Sequence, residues 1–219
     1  MTDDEGTTDP LAWTTTATGI DYACPGFDVR RDEVTFPDGR SDDYHYVDES
    51  PAVVVLPFVA SDADGGARES TDGGSTSTGG EEAGGEEAGG EEAGGEEVVV
   101  IEEWRQAVGR VNRGLPAGSM ERGEDVEAAA RRELAEETGY EAASIEELVT
   151  VEPSNGIANS VHHHVVARGC TPTAERALDH NESIRVETAA YDDLVAAAVA
   201  GDLRDGRAVL ALLVHASRE

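Results

Sequence analysis

The stretch Gly118–Tyr140, GSMERGEDVEAAARRELAEETGY, carries seven acidic residues in 23 positions. Acid alone says little in this chain, which holds 47 Asp and Glu among 219 residues. Direction says more. At about 100° per residue on a helical wheel, Val126, Ala129, Ala130 and Leu134 define one apolar stripe. Glu133 and Glu137 fall within about 20° of Val126, and Glu136 lies at the edge of the stripe. A solvated helix would turn its acids outward. Three carboxylates at i, i+3 and i+4, aimed where apolar groups point, would be raised in pKa unless a cation sat among them. An oxygen-only donor set, with no Cys and no fixed His spacing, suits Mg²⁺ or Mn²⁺ better than zinc. Arg132 stands where it can pair with a carboxylate of the cluster and orient it.

The spacing adds a second signal. Gly118 is followed after five residues by Glu124, and after seven more by Arg132-Glu133-Leu134. One residue later come Glu136-Glu137, and after another, Gly139. This resembles the Nudix box, G-x5-E-x7-R-E-U-x-E-E-x-G-U with U aliphatic, at every position but the last, where Tyr140 stands. The resemblance implies an α/β (α+β) fold, an α/β/α sandwich with a mixed sheet. It also implies hydrolysis of a nucleoside diphosphate linked to another moiety. Residue by residue, Glu133, Glu136 and Glu137 would be the main metal ligands, with Glu124 in support and Ala117 beside them. Arg132 would orient the cluster, and Gly118 and Gly139 would permit its turns.

The lead-in LPAGSMERGE, together with EEWRQAVGR before it, resembles the ADP-ribose and nucleoside diphosphate sugar pyrophosphatases. By that likeness Arg105, Trp104, Ala117 and Gly118 would contact substrate, Trp104 by stacking on a base. Members of that subfamily commonly form homodimers by exchanging an N-terminal unit. A catalytic carboxylate often comes from a later loop, where Glu182 is the candidate here, with Asp179 and His180 beside it. Gly114 and Asn155 stand where those enzymes usually carry Glu and often Pro. Two other readings remain open: a hydrolase of oxidised nucleotides or dinucleoside polyphosphates, and a non-catalytic sensor that binds ADP-ribose.

Composition narrows the class. The formal charge is −31, and all 16 basic residues are Arg. Such a charge repels phosphate backbones and anionic lipid, which argues against nucleic-acid or membrane partners; the small nucleotide expected as partner is what the resemblance implies. Spread along the whole chain, it predicts a protein from a high-salt cytoplasm, where repulsion is screened and hydrated carboxylates keep it soluble. The N-terminus MTDDEGTTDP lacks the regions of a signal peptide, and AVVVLPFVA and LVAAAVA are too short to span a bilayer. Cys24 and Cys170 read as small buried hydrophobes rather than a disulfide.

Along the chain, residues 1–20 read as a flexible terminus and 21–50 as a small antiparallel β unit, too small to stand alone. Residues 51–219 would be the main domain. Within it, the stretch 61–97 contains a repeated GGEEA unit and reads as disordered. AVVVLPFV and VVVIEEW, on either side of that stretch, read as neighbouring hairpin strands. IEELVTVEP, VHHHVVARG and SIRVETAAY read as strands, followed by two helices broken at Gly201 and Gly206. On a strand, His162 and His164 share a face and His163 takes the other, leaving a polar strand face, pocket lining or a zinc site as readings.

Overall fold

A computed structural model describes residues 9–61, 95–180 and 182–219. Its centre is β4 (Ala52–Val59), an unbroken apolar run. Such a run suits a strand covered on both faces, and here both are covered. Val53 and Val55 pack with Ala129, Ala130 and Leu134 of α1 (Val126–Thr138) on one side. Val54, Leu56 and Phe58 pack on the other with α2 (Tyr191–Ala200) and α3 (Gly206–Ala216). Sheet between helices is the layered arrangement expected from the sequence.

The main sheet adds β5 (Glu97–Arg105), β8 (Ser144–Val151), β9 (His162–Cys170) and β10 (Ile184–Ala190), in the order β10-β5-β4-β9-β8. Two short strands, β6 (Arg110–Gly114) and β7 (Ala117–Ser119), pair with β5 and β4. The sheet is mixed: β4 and β9 run parallel, and the other pairings are antiparallel. β4 and β5 are neighbours, as expected for strands flanking the acidic stretch, and meet at Phe58 and Val98. The stretch expected to be disordered lies, between Ser61 and Gly95, outside the described residues.

The N-terminal unit differs from expectation. A strand, β1 (Thr14–Ala23), joins β2 (Asp28–Thr35) and β3 (Ser41–Asp48) in a three-stranded antiparallel sheet. This corrects the reading of 1–20 as a flexible terminus over Thr14–Ile20, which are strand, while residues 1–8 lie outside the described residues. TTTATGIDYA shows no apolar alternation, so its pairing with β2 decides its form, and two register shifts interrupt that pairing. This sheet is tied to the main domain at the loop before β9. Val47 and Ala158 form a bridge, Asn159 Nδ2 donates to Asp48 (2.6 Å), and the Tyr44 hydroxyl donates to the Gly156 carbonyl. Leu11, Ile20, Tyr22 and Phe27 remain exposed on it.

At the C-terminus the interruption between helices spans Gly201–Asp205. Gly201, at φ +81°, ends α2, whereas Gly206 opens α3 rather than breaking it. Cys170 is buried and Cys24 only half-buried, and both are free. No described helix is long and apolar enough to cross a membrane.

Candidate active site

The box stretch folds as two strand residues, a loop and a capped helix. Ala117–Ser119 lie on β7, and Gly123 supplies a turn at φ +85°. Asp125 caps α1 by accepting from the Ala128 N–H (2.8 Å), and Gly139 closes it at φ +78°. The apolar stripe holds α1 against β4, and the wheel directions are realised. Glu137 is 2% exposed and Glu133 8%, while Glu136 is half-buried at the edge.

Arg132 organises these acids. Its Nε and Nη2 donate to the two oxygens of Glu124 (both 2.9 Å), a bidentate fork. Nη1 donates to Glu133 (2.7 Å) and Glu136 (3.1 Å), and Nη2 reaches the Ser119 carbonyl (3.0 Å). The fork, with the Glu121 N–H, holds the Glu124 carboxyl down at about 2. Burial raises the Glu133 carboxyl despite Arg132. Glu137 has no arginine. Burial pushes its carboxyl up to about 8, the Ala117 N–H donated to it (2.9 Å) opposes this, and Glu133, Glu182 and Glu103 add to it. Gly118 is needed for space: a Cβ there would lie 2.2 Å from the Glu133 carboxyl carbon.

These groups line one side of a cleft of about 530 Å³. The cleft brings together Arg105, Ala117, Gly118, Arg132, Glu133, Glu136 and Glu137 from the sequence reading. Of the three loop candidates, Asp179 and Glu182 reach it and His180 does not. They brace one another, the Asp179 N–H donating to the Glu182 carboxylate (3.0 Å). Glu124 is not among the lining residues; it acts through Arg132. Trp104 does not line the cleft either. It neighbours Arg105 on β5 and so points to the other face, where it is 48% exposed and its indole N–H donates to Gln106.

Among the lining residues that the sequence reading of the site missed or left as one alternative are Glu49, Arg207 and His162. Glu49 follows β3, and Arg207 comes from the first turn of α3, 3.2 Å from Asp205. His162 realises the pocket-lining reading. Its ring lies 6.4 Å from that of buried His164, while His163 turns away to Thr150. Arg105 pairs at 2.7 Å with buried Glu103, an ion pair without hydrogen-bond alignment. No local signal marks Arg207 or Glu49, because the chain is brought there by sheet order and helix packing.

Among the described residues, no trio of Asp, Glu, His or Cys side chains converges on one point at ligand distance; Glu133 and Glu136 are drawn onto the guanidinium instead. The donor set still fits a hard divalent cation. It is all oxygen, it is carried on one rigid helix face, and the Gly118 cradle keeps the space beside Glu133 clear.

A family model described as the NUDIX domain matches residues 91–211. The chain belongs to the Nudix family. It is 32% identical over 116 residues to a methanol dehydrogenase activator of Bacillus methanolicus. Over a stretch of the same length it is 28% identical to an ADP-ribose pyrophosphatase of Bacillus subtilis. Each match covers 52% of this chain and 63% of the relative, so the chain spans less than two-thirds of either. An ADP-sugar pyrophosphatase of Mus musculus is 42% identical over 70 residues, 31% of each chain. The crystal structure of an ADP compounds hydrolase superposes with a TM-score of 0.68 at 20% identity, covering 94% of this Nudix chain and 92% of that one. That likeness shows the shared fold.

Gly118→Ala should place a methyl group within the Glu133 carboxylate and displace it. A misplacement of about 1 Å at a reacting centre costs about 100-fold in rate. We expect that loss in phosphate-release assays, with the far-UV circular dichroism unchanged.

Proposed function

We propose that this chain hydrolyses the pyrophosphate bond of ADP-ribose or a related nucleoside diphosphate sugar, with Mg²⁺ or Mn²⁺, to a nucleoside monophosphate and a sugar phosphate. One observation carries the reading. Two buried glutamates on the apolar stripe of α1 face a cleft that also receives Arg105, Arg207 and the loop carboxylates Asp179 and Glu182. Similarity to relatives that are themselves ADP-ribose and ADP-sugar pyrophosphatases supports the substrate class.

Glu133, Glu136 and Glu137, beside the Ala117 backbone, would hold the cation, with Glu124 keeping Arg132 in place. Bound there, the cation would neutralise phosphate oxygens so that water can reach phosphorus. Arg105 and Arg207 would take the remaining phosphate charge from the opposite side of the cleft. Glu182, braced by Asp179, would accept the proton of the attacking water. The hydroxyl joins one phosphorus, and the bridging oxygen leaves with the other. Glu133→Gln and Glu137→Gln should each lower turnover by at least about 100-fold while melting near the wild-type temperature. Phosphate release from a nucleoside diphosphate sugar panel, coupled to a phosphatase, measures it. Unchanged turnover in both variants would remove the site, and binding without turnover in the wild type would favour a sensor.

The exposed apolar residues of the N-terminal sheet, Leu11, Ile20, Tyr22 and Phe27, support a homodimer formed through that sheet. Light scattering should return twice the monomer mass, and Ile20→Asp with Tyr22→Asp should return the monomer; a monomeric wild type excludes the pairing.

The excess of acid supports adaptation to a salt-rich cytoplasm. The thermal midpoint should climb with added salt, whereas a full unfolding transition at the same temperature without salt rejects the idea.

A further inference from the structure

A second cleft, of about 420 Å³, lies beside β5 and β6 and shares no lining residue with the catalytic one. Arg110, Arg113, Arg185 and Arg204 line it, against the acids Glu102 and Asp202. A local excess of positive charge is unusual in a chain of −31. The pairing pattern makes it more so. Among the described arginines, five make no side-chain hydrogen bond or ion pair: Arg110, Arg113, Arg122, Arg204 and Arg218. Three of those five meet in this cleft. The fourth arginine there, Arg185, is already held by Glu102 and Glu187.

Carboxylates outnumber bases roughly threefold along the chain, and most of the other described arginines pair with one. Three arginines without acid partners line this one cleft, and an anion bound there would supply the counter-charge they lack. Guanidinium forks match the oxygens of a phosphate better than they match a point charge. The size of the cleft suits a small molecule.

We propose that this cleft is a binding site for a phosphate-bearing small molecule, separate from the catalytic cleft. Its wall at Asp202–Arg204 runs directly into Asp205, whose carboxylate caps α3 and pairs with Arg207. A bound phosphate would thus sit one short turn away from a residue that lines the catalytic cleft.

The test uses the full chain with a chelator present and salt held constant. Inorganic phosphate and AMP are titrated separately, read by calorimetry and by the fluorescence of Trp104, which pairs with Val111 at the cleft. Wild type and Arg105→Gln, which removes a phosphate contact of the catalytic cleft, should bind alike. Arg113→Gln with Arg204→Gln should weaken binding by more than about tenfold, with turnover in the catalytic cleft retained. Both side chains are exposed and unpaired, so folding should persist, and Arg113→Gln alone provides a milder check. AMP binding at least tenfold tighter than phosphate identifies a nucleotide as the ligand, and equal binding identifies free phosphate. Absence of binding by both probes, or equal binding by the double variant, overturns the proposal. Loss of binding in Arg105→Gln would move the anion to the catalytic cleft and overturn it as well.

Discussion

The guanidinium of Arg132 holds Glu124 bidentately, reaches Glu133 and Glu136 with its third nitrogen, and ties all three to the Ser119 carbonyl of the preceding strand. Without it, three carboxylates would share a half-buried space with nothing to offset their repulsion. Removing one member of a buried charged pair costs about 3–5 kcal/mol, and Arg132, a quarter exposed, falls toward the lower end of that range. Its five donors therefore set both the position of the acids and the loop geometry from Gly118 to Glu124. Glu137 stands outside this network, held by the Ala117 N–H alone among protein donors. That difference separates a low-pKa brace, Glu124 in the loop before α1, from a high-pKa buried acid on the helix, Glu137.

The sheet makes this network possible. β4 is covered on both faces, so α1 has a rigid wall against which its apolar stripe can seat two glutamates. The parallel pairing of β4 with β9 brings His162 level with Ala52, at the rim of the same cleft. β5, on the far side of β4, presents Arg105 to the cleft and Glu102 to the arginine-lined cleft behind it. A chain of strongly negative charge thus keeps its positive groups where phosphate chemistry can use them.

Much of this was legible before any coordinates. The helix and the buried direction of Glu133 and Glu137 follow from a 3.6-residue period, which is local. β4 and β5 follow from β-branched runs. Trp104 was misread for want of the same rule applied to a strand: neighbours alternate faces, so a lining Arg105 turns Trp104 away. β1 was unreadable because Thr-rich sequence has no period to detect, and its strand exists through pairing with β2.

By itself, the sequence determined the acid-bearing helix and the spacing of its carboxylates, because both rest on a pattern within one segment, and through that spacing it showed the resemblance to a family whose layered fold the chain adopts. Only the tertiary structure decided which distant residues complete the cleft. Arg207, His162, Glu49 and the choice of Asp179 and Glu182 over His180 depend on strand order and helix packing. It alone also brought Arg204 to the cleft that Arg110 and Arg113 of β6 line. Contacts closed by long loops leave no local trace, since no short-range period encodes them.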